Sequence, residues 1–181
     1  MAGVGEALGS GSDLRVGIGV DSHPFGPGEP LRLGGVEISG APRLHGHSDG
    51  DVALHAVADA LLGAAALGDL GRLFPADRRT ARGVESGELL RAVVGQLRDA
   101  GWQPAAVDLT IVGARPRLGR HLPEMRAAIA RDLGVGSAAV SVKASSANLI
   151  GDDGAGRSIS ARAVATIART RPAGGGGAGG R

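Results

Sequence analysis

Two histidines and one aspartate carry the clearest chemical signal in the chain. Asp21 and His23 stand two apart at the end of Arg15 to Asp21 (RVGIGVD), whose alternation of apolar and small residues predicts a β-strand. Residues at i and i+2 leave a strand on the same side, so a carboxylate oxygen and an imidazole nitrogen can meet at one point. His55 comes from a second element. Ser48 to Ala66 predicts a helix that is apolar nearly all round, and such a helix is normally buried. Along it Asp51, His55 and Asp59 fall at i, i+4 and i+8, one stripe on one face. Polar groups buried without partners cost roughly several kcal/mol. A metal ion or charged ligand is one kind of partner, and structural hydrogen bonds along a half-exposed edge are another. Asp21, His23 and His55 together suit Zn2+ with an open position, or another divalent ion. In the other reading Asp21 caps a turn, and His23, just before Pro24, is a solvated loop residue.

Two further segments add polar groups near that helix. The loop Leu44 to Asp51 (LHGHSDGD) supplies His45, His47, Ser48 and Asp49. A helix N-terminus favours anions, so a phosphate beside His47 and Ser48 is physically reasonable, while Ser48 also reads as the helix cap with Asp51 three positions on. After the helix, Asp69 lies in the glycine-flanked Gly68 to Gly71, either as a turn former or facing the same cleft.

Composition narrows the chemistry. With no cysteine among 181 residues, any metal must be held by His, Asp or Glu. Twenty basic residues face 18 acidic ones, for a net charge of +2, with no basic cluster interleaved with aromatics. No nucleic-acid partner is expected on that ground. No apolar run approaches the roughly 20 residues that span a bilayer, and Met1 to Asp13 lacks the pattern of a secretion signal. No membrane partner and a cytoplasmic location follow as expectations. The hydrophobic fraction is 43% but aromatics are only 2%, so Ala, Val and Leu must fill the core.

The remaining elements must position these groups. Gly, Ser and Ala dominate 1–13 and glycine dominates 172–181, so both ends are expected to be disordered around one domain over 14–171. Within it, Leu31 to Ile38 predicts a hairpin turning at Gly34-Gly35. Helices are expected over Ser86 to Ala100 and Pro123 to Leu133, and strands over Ala106 to Gly113, Val140 to Ser145 and Ser158 to Ala168, the last of which also admits a helix. The order gives an α+β sandwich, a mostly four-stranded sheet with helices on one face.

The segments Gly19-Val20-Asp21-Ser22-His23, His47-Ser48-Asp49-Gly50-Asp51-Val52-Ala53-Leu54-His55-Ala56, and Asp59 to Ala64 through Gly68-Asp69-Leu70-Gly71 closely resemble the 2-C-methyl-D-erythritol 2,4-cyclodiphosphate synthase family. The resemblance runs from about Arg15 to Ile167. It implies a homotrimer with sites between subunits, and a Zn2+ ion on Asp21, His23 and His55. It implies 4-diphosphocytidyl-2-C-methyl-D-erythritol 2-phosphate as the small-molecule substrate, cyclised with release of CMP in non-mevalonate isoprenoid biosynthesis. It also implies His47 and Ser146 as catalytic residues. The substrate-binding set it implies is Asp21, His23, His47, Ser48, Asp69, Gly71, Gly113, Pro116, Arg117, Ser145 and Ser146, with Gly113 to Leu118 forming the cytosine pocket.

Three departures stand out. Lys143-Ala144-Ser145-Ser146-Ala147-Asn148 replaces the family's usual Lys-Ala-Thr-Thr-Thr-Glu, so Asn148 stands where a carboxylate helps hold a second ion, Mg2+ or Mn2+. An amide oxygen can coordinate such ions, but without the charge. Ala155 and Arg157 replace the arginine and glutamate that line the trimer's central cavity, and Ala76 separates Pro75 from Asp77. Asn148 and the altered cavity motivate an alternative, a trimeric relative that binds metal or cytidine nucleotide with little turnover.

Overall fold

The computed structural model describes residues 14–170; the two ends expected to be disordered lie outside them. The chain order is β1 (Leu14–Pro24), β2 (Leu31–Leu33), β3 (Val36–Ile38), α1 (Val52–Ala65), α2 (Leu70–Leu73), α3 (Ser86–Asp99), β4 (Trp102–Val112), α4 (Leu122–Leu133), β5 (Val140–Ser145), α5 (Gly151–Gly154) and β6 (Ser158–Arg169). Four strands form a mixed sheet in the order β1-β6-β4-β5, antiparallel except for β4 and β5. β2 and β3 form a separate hairpin, turning at Gly34 and Gly35 in left-handed backbone (φ 63° and 75°). This is the expected α+β fold with a four-stranded sheet.

β4 starts four residues earlier than the apolar pattern implied. Pro104 lacks an amide donor, and the register against β6 slips between Pro104 and Ala106. That irregularity hides the strand's first residues from a pattern search. At its start Trp102 is 4% exposed and is flanked by Arg15 and Arg169, each 4.4 Å from the indole centroid.

The core between sheet and helices is aliphatic, as the composition demands. Val52, Leu54, Val57, Leu61 and Leu62 of α1 are fully buried against Leu109, Ile111, Ile159 and the alanines of β6. β1 offers α1 two glycines. A Cβ on Gly17 would stand 2.0 Å from the Ala60 carbonyl oxygen, and one on Gly19 2.0 Å from that of Ala56. Strand backbone therefore rests directly on helix backbone. Gly17, Gly19, Asp21 and His23 share one side of the strand, so the same contact carries Asp21 and His23 to His55, the neighbour of Ala56. The other side of β1 is exposed: Val16, Ile18 and Val20 are 57–71% exposed.

The cap of α1 is Asp51, not Ser48, which corrects the expectation drawn from the sequence. Asp51 is 1% exposed. It accepts from Ala53 N and Leu54 N at 3.1 Å, and from Gly34 N and Gly35 N at 2.8 and 2.7 Å. One carboxylate thus ends the helix and moors the hairpin turn. Burial pushes its pKa up, opposed by these N–H donors. Asp51→Ala should cost about 3–5 kcal/mol, a lost cap plus stranded buried donors. Calorimetry should show a melting temperature roughly 10 °C lower, and a fall of only a degree or two would mean that other acceptors serve these amides.

Candidate metal centre

The stripe Asp51-His55-Asp59 does not act as one site. Asp51 is spent on backbone, and Asp59 Oδ1 accepts from Leu70 N at 2.7 Å, tying α1 to α2. Burial raises the Asp59 carboxyl against that bond. His55 alone turns toward β1.

There it meets the strand pair. His55 Nδ1 and His23 Nε2 each lie 2.9 Å from Asp21 Oδ2. One ligand atom from each of the three residues lies within 4.8 Å of the others, with all three half-buried. Burial alone would raise the Asp21 carboxyl, but the hydrogen bonds and charge of His23 and His55 override it and hold it far below the ordinary carboxylate range. The Asp21 contact raises His23, against burial, with the His45 carbonyl adding to it. Both shifts say that this cluster seeks positive charge. His23 Nδ1 contacts the His45 carbonyl oxygen, which can only accept, so Nδ1 carries a proton and Nε2 is the nitrogen that faces Asp21. In the neutral ring that Nε2 holds a lone pair, which would repel the carboxylate unless a proton or a metal ion stands between them. The donor set therefore fits a divalent metal, and the His45 carbonyl supplies the outer partner that metal-binding histidines normally have.

The trio opens into a cavity of about 280 Å³ that also includes His47, Ser48, Asp59, Gly71, Phe74 and Thr80. His47 Nε2 lies 2.9 Å from the Thr80 carbonyl. Thr80 Oγ1 is the buried side-chain polar atom without a partner among the described residues. An adjoining cleft of about 460 Å³ shares His47 and Ser48 and adds Arg43, His45 and Arg82. Asp69 stands just outside the cavity as the cap of α2, accepting from Arg72 N at 2.9 Å. Asp77 is exposed and pairs with Arg79.

Gly113, Pro116, Arg117, Ser145, Ser146 and Asn148 line a different cavity, of about 720 Å³. His47 and Ser146 are therefore not in one pocket of a single chain. Asn148 has left-handed backbone (φ 50°), a conformation asparagine tolerates better than most residues. Ser86 is the residue that sequence reasoning missed. It is 1% exposed at the start of α3, with Oγ 3.0 Å from His55 Nε2 and 2.5 Å from Asp49 Oδ1.

The YgbB family profile matches residues 14–168. A 2-C-methyl-D-erythritol 2,4-cyclodiphosphate synthase of Erwinia tasmaniensis is 47% identical over 154 residues, covering 85% of this chain and 98% of the relative. Among solved structures, the bifunctional IspDF of Campylobacter jejuni is similar with a TM-score of 0.82 and 32% identity, over 86% of this chain and 42% of that longer one. A CDP-bound 2C-methyl-D-erythritol-2,4-cyclodiphosphate synthase is similar with a TM-score of 0.74 and 35% identity, over 84% of this chain and 99% of the other.

Proposed function

Because the chain belongs to the YgbB family, we propose that it converts 4-diphosphocytidyl-2-C-methyl-D-erythritol 2-phosphate to 2-C-methyl-D-erythritol 2,4-cyclodiphosphate and CMP. An oxygen of the 2-phosphate forms a bond to the β-phosphorus. The bond from that phosphorus to the oxygen bridging to the α-phosphate breaks, and CMP leaves with the electron pair. Reactions of this kind need positioning and charge neutralisation more than covalent help from the protein. The observation that carries the reading is the convergence of His23 and His55 on one oxygen of Asp21.

Asp21, His23 and His55 would hold Zn2+, which when bound supplies Lewis-acid polarisation of phosphate oxygens. His47 and Ser48 lie between the metal cavity and the Arg43–Arg82 cleft, where they receive the methylerythritol phosphate end. Asp69 and Gly71 lie near the sugar hydroxyls. Gly113, Pro116, Arg117 and Ser145 receive the cytidine end, and the Ser146 hydroxyl holds phosphate. A second ion, Mg2+ or Mn2+, would ride with the diphosphate beside Asn148.

The chain acts as a homotrimer. Two features support this: the exposed apolar face of β1, which needs cover, and the division of the site residues between two separate cavities, which a neighbouring subunit would reunite. Relatives that match nearly end to end favour turnover over the alternative of a nucleotide-binding remnant. Incubation of the purified protein with the substrate, Zn2+ and Mg2+ should release CMP and the cyclic diphosphate. CMP binding without release would favour the remnant, and dialysed protein that holds no zinc would sink the metal centre.

A further inference from the structure

Asp49, Ser86 and His55 form a line of hydrogen bonds behind the metal centre. Asp49 Oδ1 lies 2.5 Å from Ser86 Oγ, and Asp49 Oδ2 accepts from Ser86 N at 3.1 Å. As a carboxylate, Asp49 can only accept, so the single Ser86 hydroxyl proton points at it. Ser86 Oγ must then accept from its other neighbour, His55 Nε2, at 3.0 Å. Ser48 Oγ, 3.1 Å from the same nitrogen, accepts from the Gly50 amide and has a further acceptor position for that N–H. Without a metal, His55 Nδ1 faces the carboxylate of Asp21 at 2.9 Å; when Nδ1 holds a metal, the neutral ring keeps its proton on Nε2, and Ser86 Oγ is placed to accept it.

We propose that Asp49 and Ser86 are a positioning pair that fixes the His55 tautomer, and with it the metal affinity of the centre. The inference rests on the metal reading above. Its logic is that of His23, where a carbonyl fixes the outer nitrogen, but here the acceptor is a hydroxyl, which could donate instead if nothing claimed its proton. Asp49 removes that choice. Neither Asp49 nor Ser86 reaches the reacting atoms; both act through His55.

The test is zinc affinity of the zinc-free full-length protein, measured by competition with a chelator of known affinity. Ser86→Ala should weaken zinc by about 10–100-fold, the range for outer partners of metal-bound histidines. Ser86→Thr, which keeps the hydroxyl, should recover most of the loss. Ser86→Ala with the parent's affinity overturns the proposal. If Ser86→Ala does not fold, Asp49→Asn gives the same measurement, and unchanged affinity there also overturns it. A parent protein that takes up no zinc overturns the metal centre itself, and the pair with it.

Discussion

Alanine at Gly19 is expected to destroy the metal centre without altering a single ligand. The added Cβ would stand 2.0 Å from the Ala56 carbonyl oxygen and 2.6 Å from Ala60 N. Both are main-chain atoms in the middle of a buried helix, so no rotamer change relieves the contact. β1 must move away from α1, and His55 sits one residue from the point of collision. Overpacking typically costs about 1–3 kcal/mol, and losses above about 4 kcal/mol are reserved for conflicts of this sort. The expected result is a melting temperature at least roughly 10 °C lower, with zinc lost from whatever folds. Metal analysis beside a thermal melt decides it. Parent-like zinc content and a melt within a few degrees would mean that strand and helix are not in backbone contact.

Two inactive variants are expected to restore activity when combined. His55→Ala removes a ligand from the metal cavity, and Ser146→Ala removes a hydroxyl from the other. Each alone should release CMP at least about 100-fold more slowly, the scale for losing one group that stabilises developing charge. If the chain forms the proposed trimer, a site in mixed trimers is whole when its His55 half comes from the Ser146→Ala chain and its Ser146 half from the His55→Ala chain. Random mixing in equal amounts makes about one site in four whole, so about a quarter of parent activity should return. Asp21→Ala mixed with His55→Ala, both in the same half, should restore nothing. Equal failure of both mixtures would place the complete site within one chain.

Much of this was legible in the sequence, and the rest was hidden for physical reasons. Asp21, His23 and His55 were readable because strand and helix periodicities each fix a face, and an aspartate and two histidines on buried faces need company. The hairpin, the three long helices and the four sheet strands follow from apolar spacing and glycine stops. The cap of α1 was misassigned because Ser48 and Asp51 both suit a helix start. What decides between them is the pair of amides from Gly34 and Gly35, contributed from 16 and 17 residues away. Ser86 was invisible as a functional residue. It lies 31 residues from His55 and reads as an ordinary serine at a helix start. α2 and α5 are single turns, too short for any periodicity to show.

The indole between Arg15 and Arg169 has a practical consequence. Trp102 is the single tryptophan, and the chain has no tyrosine, so near-ultraviolet absorbance and emission come almost entirely from one ring. That ring is packed where β1, β4 and β6 begin or end, while Asp21 and His23 lie at the opposite end of β1. At about 3.3 Å per residue, the separation along the strand is roughly 20–25 Å. Its fluorescence therefore reports whether the sheet is assembled and is deaf to what enters the metal cavity. The molecule carries a built-in optical readout of folding that titration with a colourless metal ion such as Zn2+ leaves unchanged.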